Sequence, residues 1–210
     1  MSLNLNENFR NIYIYIVKRV VDFILCLLLL PLLTVLIILI SPLIYFNDKG
    51  PVFYSAKRIG LNGTFFRMYK FRTMIVDAPD IRLEDGSTFN SINDQRLTKI
   101  GKILRATSID ELPQIINVLF SDMSFIGPRP DPEDWLEKYS ESEREFLKVK
   151  PGITGYNQAY FRNSADGAKK LINDVYYAKN ISLLLDFKIL LKTFSTIIMR
   201  DNLYVDRSQK

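Results

Sequence analysis

Phe23-Ile-Leu-Cys-Leu-Leu-Leu-Leu-Pro31-Leu-Leu-Thr34-Val-Leu-Ile-Ile-Leu-Ile40 is the stretch on which the reading of this 210-residue chain turns. Its eighteen uncharged residues are just long enough to cross the hydrocarbon core of a bilayer as a helix. Pro31 interrupts the run and Ser41-Pro42 follows it. Three readings compete. A signal peptide is disfavoured, because no small-residue cleavage site follows the apolar stretch. A spanning helix and a re-entrant helix that leaves by the face it entered both fit. Physics alone slightly favours spanning, since prolines occur in spanning helices too. In either case Pro31 removes a backbone donor and frees a carbonyl near Leu27, which the hydroxyl of Thr34 or Ser41 can help satisfy. Asp22, at the N-terminal edge of the run, is expected at the membrane interface, and Cys26 is read as a small packing or lipid-facing residue.

Working outward, the parse is one N-terminal membrane-associated segment, residues 1–47, and one catalytic-looking domain, residues 48–210. Tyr13 and Tyr15 suit the headgroup level. The net charge of +5 suits an anionic membrane surface or phosphate-bearing substrates. No basic run of five or more residues appears, so no nucleic-acid partner is expected. A single cysteine excludes a disulfide framework and favours a reducing compartment for the body. The absence of histidine excludes Ser-His-Asp and Cys-His catalysis and histidine metal sites. Any chemistry must run on carboxylates, Lys, Arg, Tyr or a hard metal ion.

The body reads as a helix-dominated α+β fold with a small β-hairpin and amphipathic interfacial helices. Asn62-Gly63 between the β-rich runs 51–59 and 64–71 signals a hairpin. Residues 77–95 read as a loop. Helices are predicted over 97–105, 113–120, 132–148 and 181–198. Gly127-Pro-Arg-Pro130 and Pro151-Gly-Ile-Thr-Gly155 read as tight turns. The last helix gathers Leu183, Phe187, Leu190, Leu191, Phe194 and Ile198 on one face, which either packs on the core, the safer reading, or lies in the membrane interface.

Chemistry concentrates in Arg105-Ala-Thr-Ser108-Ile-Asp110-Glu111-Leu-Pro113-Gln114. Pro113 belongs in a first helical turn, so Asp110 and Glu111 lie just ahead of a helix. Acids there are ordinarily caps and dipole partners. The same placement also lets both carboxylates face one site at which phosphate binds. A carboxylate nucleophile, a second carboxylate and Arg105 suit phosphoryl transfer with Mg²⁺, the natural ion where oxygen ligands are plentiful and His is absent. Arg129 sits in a turn stiffened by prolines on both sides, which lowers the entropy lost on fixing it. Lys70 and Arg72 alternate with aromatics on a probable strand; a solvated face is the ordinary reading, and aiming cations at phosphate the functional one.

Taken in order, Lys18-Arg19-x-x-Asp22, Gly50-Pro-Val-Phe53, Tyr69-Lys-Phe-Arg-Thr-Met74, Arg105-x-x-Ser108-x-Asp110-Glu111-Leu-Pro-Gln114, Asn117-Val-Leu119, Asp122-Met-Ser124, Gly127-Pro-Arg-Pro130 and Pro151-Gly-Ile-Thr-Gly155 resemble the bacterial sugar transferases, the monotopic phosphoglycosyl transferases. The resemblance covers residues 18–201. It implies transfer of a sugar-1-phosphate from a UDP-sugar to a polyprenol phosphate, commonly undecaprenyl phosphate, with release of UMP, on the cytoplasmic face of the bacterial inner membrane. It implies Asp110 as a nucleophile at Mg²⁺ that forms a covalent phosphosugar intermediate, with Glu111 supporting the metal or proton transfer. Arg105 and Arg129 become phosphate-binding residues, joined by Lys70, Arg72 and Arg162 as substrate-binding candidates. Membrane lipids are partners, a homodimer is compatible, and the membrane segment is re-entrant. Three departures stand out. The family's helix-breaking Ser-Pro aligns with Thr34-Val35, which moves the expected break to Pro31 with Thr34 as hydroxyl partner. Ala56 replaces a common glutamine. The stretch 156–163, with Arg162, differs where nucleotide or sugar choice is set. The alternative function is a non-catalytic membrane-anchored adaptor of a glycan assembly complex.

Overall fold

A computed structural model describes residue 8 and residues 10–82, 89, 91, 93–161 and 166–199, without the side chains of 197 and 198. The apolar run lies inside helix α1, Lys18–Asp48, which follows a π-helical turn, Tyr13–Val17, and runs through both Pro31 and Pro42. At about 1.5 Å per residue its 31 residues extend roughly 46 Å. The Thr34 hydroxyl donates to the Leu30 carbonyl at 2.9 Å, not to the carbonyl of Leu27 that Pro31 leaves free. Lys49, in the left-handed region at φ 54°, ends the helix and donates its N–H to the Tyr45 carbonyl.

One stripe of α1 is buried: Asp22, Cys26, Leu33, Ile40 and Ile44, at spacings that return to one helical face. Cys26, Leu33, Met68, Ile115, Val118 and Met123 form one apolar cluster, and Ile40, Ile44, Phe71 and Leu104 another. The opposite face exposes Phe23, Leu28, Leu32, Ile38, Leu43 and Phe46. The sequence is apolar all round the helix, so only packing distinguishes the faces. Asp22 is buried against the body, and its Oδ1 accepts the Phe125 N–H at 3.1 Å. Both ends of α1 are tied to the same body. Lys18 pairs with Asp186, and Asp48 makes a two-pronged ion pair with Arg72 at 2.5 Å.

Strands β1, Phe53–Ile59, and β2, Phe65–Phe71, form the expected antiparallel hairpin, in register from Phe53 opposite Phe71 to Ile59 opposite Phe65. Asn62 and Gly63 turn it with φ of 54° and 78°, the left-handed geometry that favours this dipeptide. Helix α2, Lys99–Ala106, starts at Thr98, whose Oγ1 accepts the Gly101 N–H at 2.9 Å. Helix α3 is Gln114–Leu119.

The segment 151–155 is not a tight turn. Strand β4, Gly152–Thr154, pairs in parallel with β3, Ser124–Ile126. Its glycines serve close approach: a Cβ on Gly152 would stand 2.1 Å from the Gly127 nitrogen, and one on Gly155 2.0 Å from the Gly127 oxygen. Residues 132–148 are not one helix but two 3₁₀ stretches, Glu133–Lys138 and Glu143–Lys148. Between them Ser140 and Glu143 form a reciprocal cap, with the Ser140 N–H donating to Glu143 Oε2 at 2.8 Å. Short helix α4, Tyr156–Tyr160, and helix α5, Gly167–Asn180, complete the segment before the last helix.

Helix α6, Leu183–Met199, inverts the safer expectation. Its apolar face, with Leu183, Phe187, Leu191 and Phe194, is exposed. It docks through Leu185, Ile189 and Leu190 and through polar groups: Asp186 accepts from Tyr177 and Tyr13 at 2.7 Å, and Thr196 donates to the Ala159 carbonyl at 2.9 Å. An element that turns this much apolar surface outward while burying Asp186 and Thr196 is suited to a lipid surface.

Candidate active site

Asp110 and Glu111 occupy a single 3₁₀ turn, Ile109–Glu111, between α2 and α3. Ser108, in the left-handed region at φ 57°, reverses the chain out of α2, and Pro113 leads directly into α3. The dyad therefore lies just ahead of a helix, as its sequence requires. Buried Asn117 fixes α3 against the hairpin. Its Oδ1 accepts the Tyr69 N–H at 3.0 Å, and its Nδ2 donates to the Arg67 carbonyl at 2.7 Å. This brings the end of β2, and Lys70 with it, over the dyad.

Glu111 is clamped by two cations. Lys70 Nζ donates to its Oε1 at 2.7 Å, and Arg129 reaches Oε1 at 2.8 Å and Oε2 at 3.5 Å. Burial opposes ionisation of Glu111, but Arg129 and Lys70 outweigh it and hold the carboxyl well below the usual carboxylate range. Burial in turn pulls the Lys70 ammonium down, against the pull of Glu111. Arg129 comes from the turn after β3, which the Gly127–Gly152 backbone contact holds in place.

Asp110 is in a different state. It is 7% exposed, and among the described residues no side chain donates a hydrogen bond to its carboxylate. Burial first, and then the Glu111 charge, push its carboxyl up to about 6, against the pull of Lys70, Arg105 and Arg129. Two adjacent acids are thus driven apart: one is a fixed anion neutralised by cations, the other a basic carboxylate open to a reacting partner.

The remaining site candidates divide. Arg105 ends α2 with its Nε donating to Thr73 Oγ1 at 3.0 Å, and its charge acts on Asp110. Arg72 does not join the cluster. Its guanidinium is taken by Asp48 and by the Pro51 and Met74 carbonyls, because β2 ends at Phe71 and the chain turns away. Arg162 lies outside the described residues. Pro31 and Thr34 lie within α1, with helix on both sides. Sequence reasoning left Asn117 without a role; its full burial has no signal in the residue type.

No group of three or more acidic, Cys or His side chains suited to a metal occurs among the described residues. Mg²⁺ commonly uses only one or two carboxylates with phosphates and water. Asp110, with no side-chain donor on its carboxylate among the described residues, fits that pattern, whereas Glu111 already serves Lys70 and Arg129.

Comparison with known proteins identifies the relatives of this chain. The sequence model described as bacterial sugar transferase matches residues 13–200. An undecaprenyl-phosphate galactose phosphotransferase of Salmonella typhimurium is 35% identical over 97% of this chain and 45% of its own length. An uncharacterized sugar transferase of Haemophilus influenzae is 39% identical, also over 97% of this chain and 45% of its own. The chain thus spans about half the length of these two relatives. The exopolysaccharide production protein ExoY of Sinorhizobium fredii is 36% identical over 89% of this chain and 88% of its own length.

Proposed function

Because the chain belongs to the bacterial sugar transferase family, we propose that it transfers a sugar-1-phosphate from a UDP-sugar to a polyprenol phosphate, such as undecaprenyl phosphate, and that the transfer passes through Asp110. The observation that carries this reading is the buried Asp110 carboxylate, to which no side chain among the described residues donates a hydrogen bond, beside a Glu111 that gathers Lys70 and Arg129 around it.

The proposed reaction has two displacements. An Asp110 oxygen attacks the sugar-bearing phosphorus of the donor, the bond to the bridging oxygen breaks, and UMP leaves with the electron pair. An oxygen of the polyprenol phosphate then attacks the same phosphorus and displaces Asp110. Lys70 and Arg129 offset the charge spread over the phosphoryl oxygens. Glu111, held ionised by those two cations, is a poor proton carrier at neutral pH; its part is to orient them. Mg²⁺ held by Asp110 and substrate phosphate oxygens would supply further charge neutralisation.

The membrane placement belongs to the same proposal. An α1 that enters and leaves by the cytoplasmic face of the inner membrane accords with its outward apolar face, with ties to one body at both its ends, and with the outward apolar face of α6. The decisive test is UMP release from a panel of UDP-sugars with undecaprenyl phosphate. The Asp110→Asn variant should release none, and wild-type chain given donor alone should carry a trapped phosphosugar on Asp110. Wild-type rates in Asp110→Asn would refute the nucleophile, and full glycan production in a strain carrying it would point to an adaptor.

A further inference from the structure

Arg58 has no role in the site so far, and its surroundings call for an anion. It sits on β1 where that strand docks on the turn that carries Arg129. Arg58 forms an antiparallel bridge with Pro132, and the Ile59 N–H donates to the Asp131 carbonyl at 3.0 Å. Arg58 also shares a hairpin face with Lys70, because Lys70 stands opposite Tyr54, four residues along the same strand.

Among the described residues, Arg58 is the arginine that is not exposed and yet has no protein acceptor. Its Nε is fully buried and unpartnered. The neighbouring acids are engaged elsewhere. Asp131 accepts from Tyr139 at 2.7 Å and Lys170 at 2.6 Å, and Glu111 serves Lys70 and Arg129. Burial, and then the Arg129 charge, weaken the hold of Arg58 on its proton, and the same Arg129 charge acts on Lys70. An acceptor-free guanidinium beside a second guanidinium is costly, and a bound phosphate relieves both the missing hydrogen bonds and the repulsion.

We propose that Arg58 is a second phosphate-binding residue of this site and that it takes the nucleoside-bearing phosphate of the donor, the one that departs as UMP. The assignment rests on the transfer proposed above. The sugar-bearing phosphate must lie at Asp110 to be attacked, among Lys70, Glu111 and Arg129. Arg58, which neighbours Arg129 on the turn side, is left for the other phosphate of the pair, and a planar fork suits it.

The test is UMP affinity, measured by titration on the full chain in detergent, for wild type, Arg58→Gln and Arg58→Lys, with thermal midpoints taken alongside. Arg58→Gln should weaken UMP binding about tenfold or more, and Arg58→Lys by less, since charge-assisted hydrogen bonds carry the loss. Midpoints should stay near wild type. Should Arg58→Gln fail to fold, Arg58→Lys, which keeps the charge but not the fork, must still weaken UMP binding. Unchanged UMP affinity in the folded variants overturns the inference. So does unchanged UMP affinity with a raised KM for polyprenol phosphate, which assigns Arg58 to the lipid phosphate. Because titration needs no turnover, Arg58-dependent UMP binding by a chain that transfers no sugar would refute the proposed reaction and leave the Arg58 site standing.

Discussion

At the residue scale, Asp110 and Glu111 should respond to pH with opposite signs. Asp110 has its carboxyl raised by burial, so it contributes most to stability below the ordinary carboxylate range, and that contribution is lost as pH rises through about 6. Asp110→Asn should therefore be inactive yet more stable than wild type at pH 7.5, by on the order of 1–3 kcal/mol, with the gap closing at pH 4. Thermal midpoints at the two pH values check this. In the wild type, UMP release should fall as pH drops through about 6, where Asp110 takes up its proton and could no longer attack as proposed. Glu111 has its carboxyl lowered, so its contribution is present above the ordinary carboxylate range and lost as pH falls through the folded value. Glu111→Gln leaves Lys70 half-buried without its partner and should cost about 1–3 kcal/mol at neutral pH. The partly exposed Arg129 side chain adds less, since water screens it. The dyad was legible because acids ahead of a proline-started helix have few placements. The fate of Arg72 was not, because a strand pattern does not show that the strand ends one residue earlier.

At the scale of elements, the β3–β4 pair places Arg129, and its glycines leave no room for a side chain. Gly152→Ala should destabilise the protein by about 1–3 kcal/mol through overpacking and should depress activity through Arg129, which denaturation and UMP release measure separately. Three-residue strands carry too little alternation to be read from sequence, so 151–155 looked like a turn. The existence of α6 was legible from its period, but its orientation was not. Six apolar residues on one face ordinarily mean core, but the packed face is the one that carries Ile189 and the buried Asp186, with Tyr13 and Tyr177 on it. Phe187→Glu with Leu191→Glu should lower the membrane-bound fraction in flotation while leaving folding stability within about 0.5 kcal/mol of wild type, because both positions are more than half exposed.

At the scale of the whole molecule, α1 is both an apolar surface and a wall of two core clusters. A detachable anchor could be removed and leave a folded body. Here deletion of residues 1–46 would bare Met68, Ile115, Val118, Phe71 and Leu104, so the truncated chain is expected to aggregate rather than remain soluble, as size-exclusion would show. Tags at residue 1 and residue 210 should be accessible from one side of the membrane under the re-entrant reading, and from opposite sides if α1 spans.

The tie between Lys18 and Asp186 has a consequence in time. Its partners are 168 residues apart, and Tyr13 and Tyr177 close on the same carboxylate. At roughly 5–20 residues per second of synthesis, α1 is made about 10–30 s before the helix that secures its first turn exists. During that interval the helix has lipid available to it and no finished body. Insertion should therefore precede domain closure, and a ribosome stalled before residue 183 should hold a chain already embedded in the bilayer with its first turn still untethered.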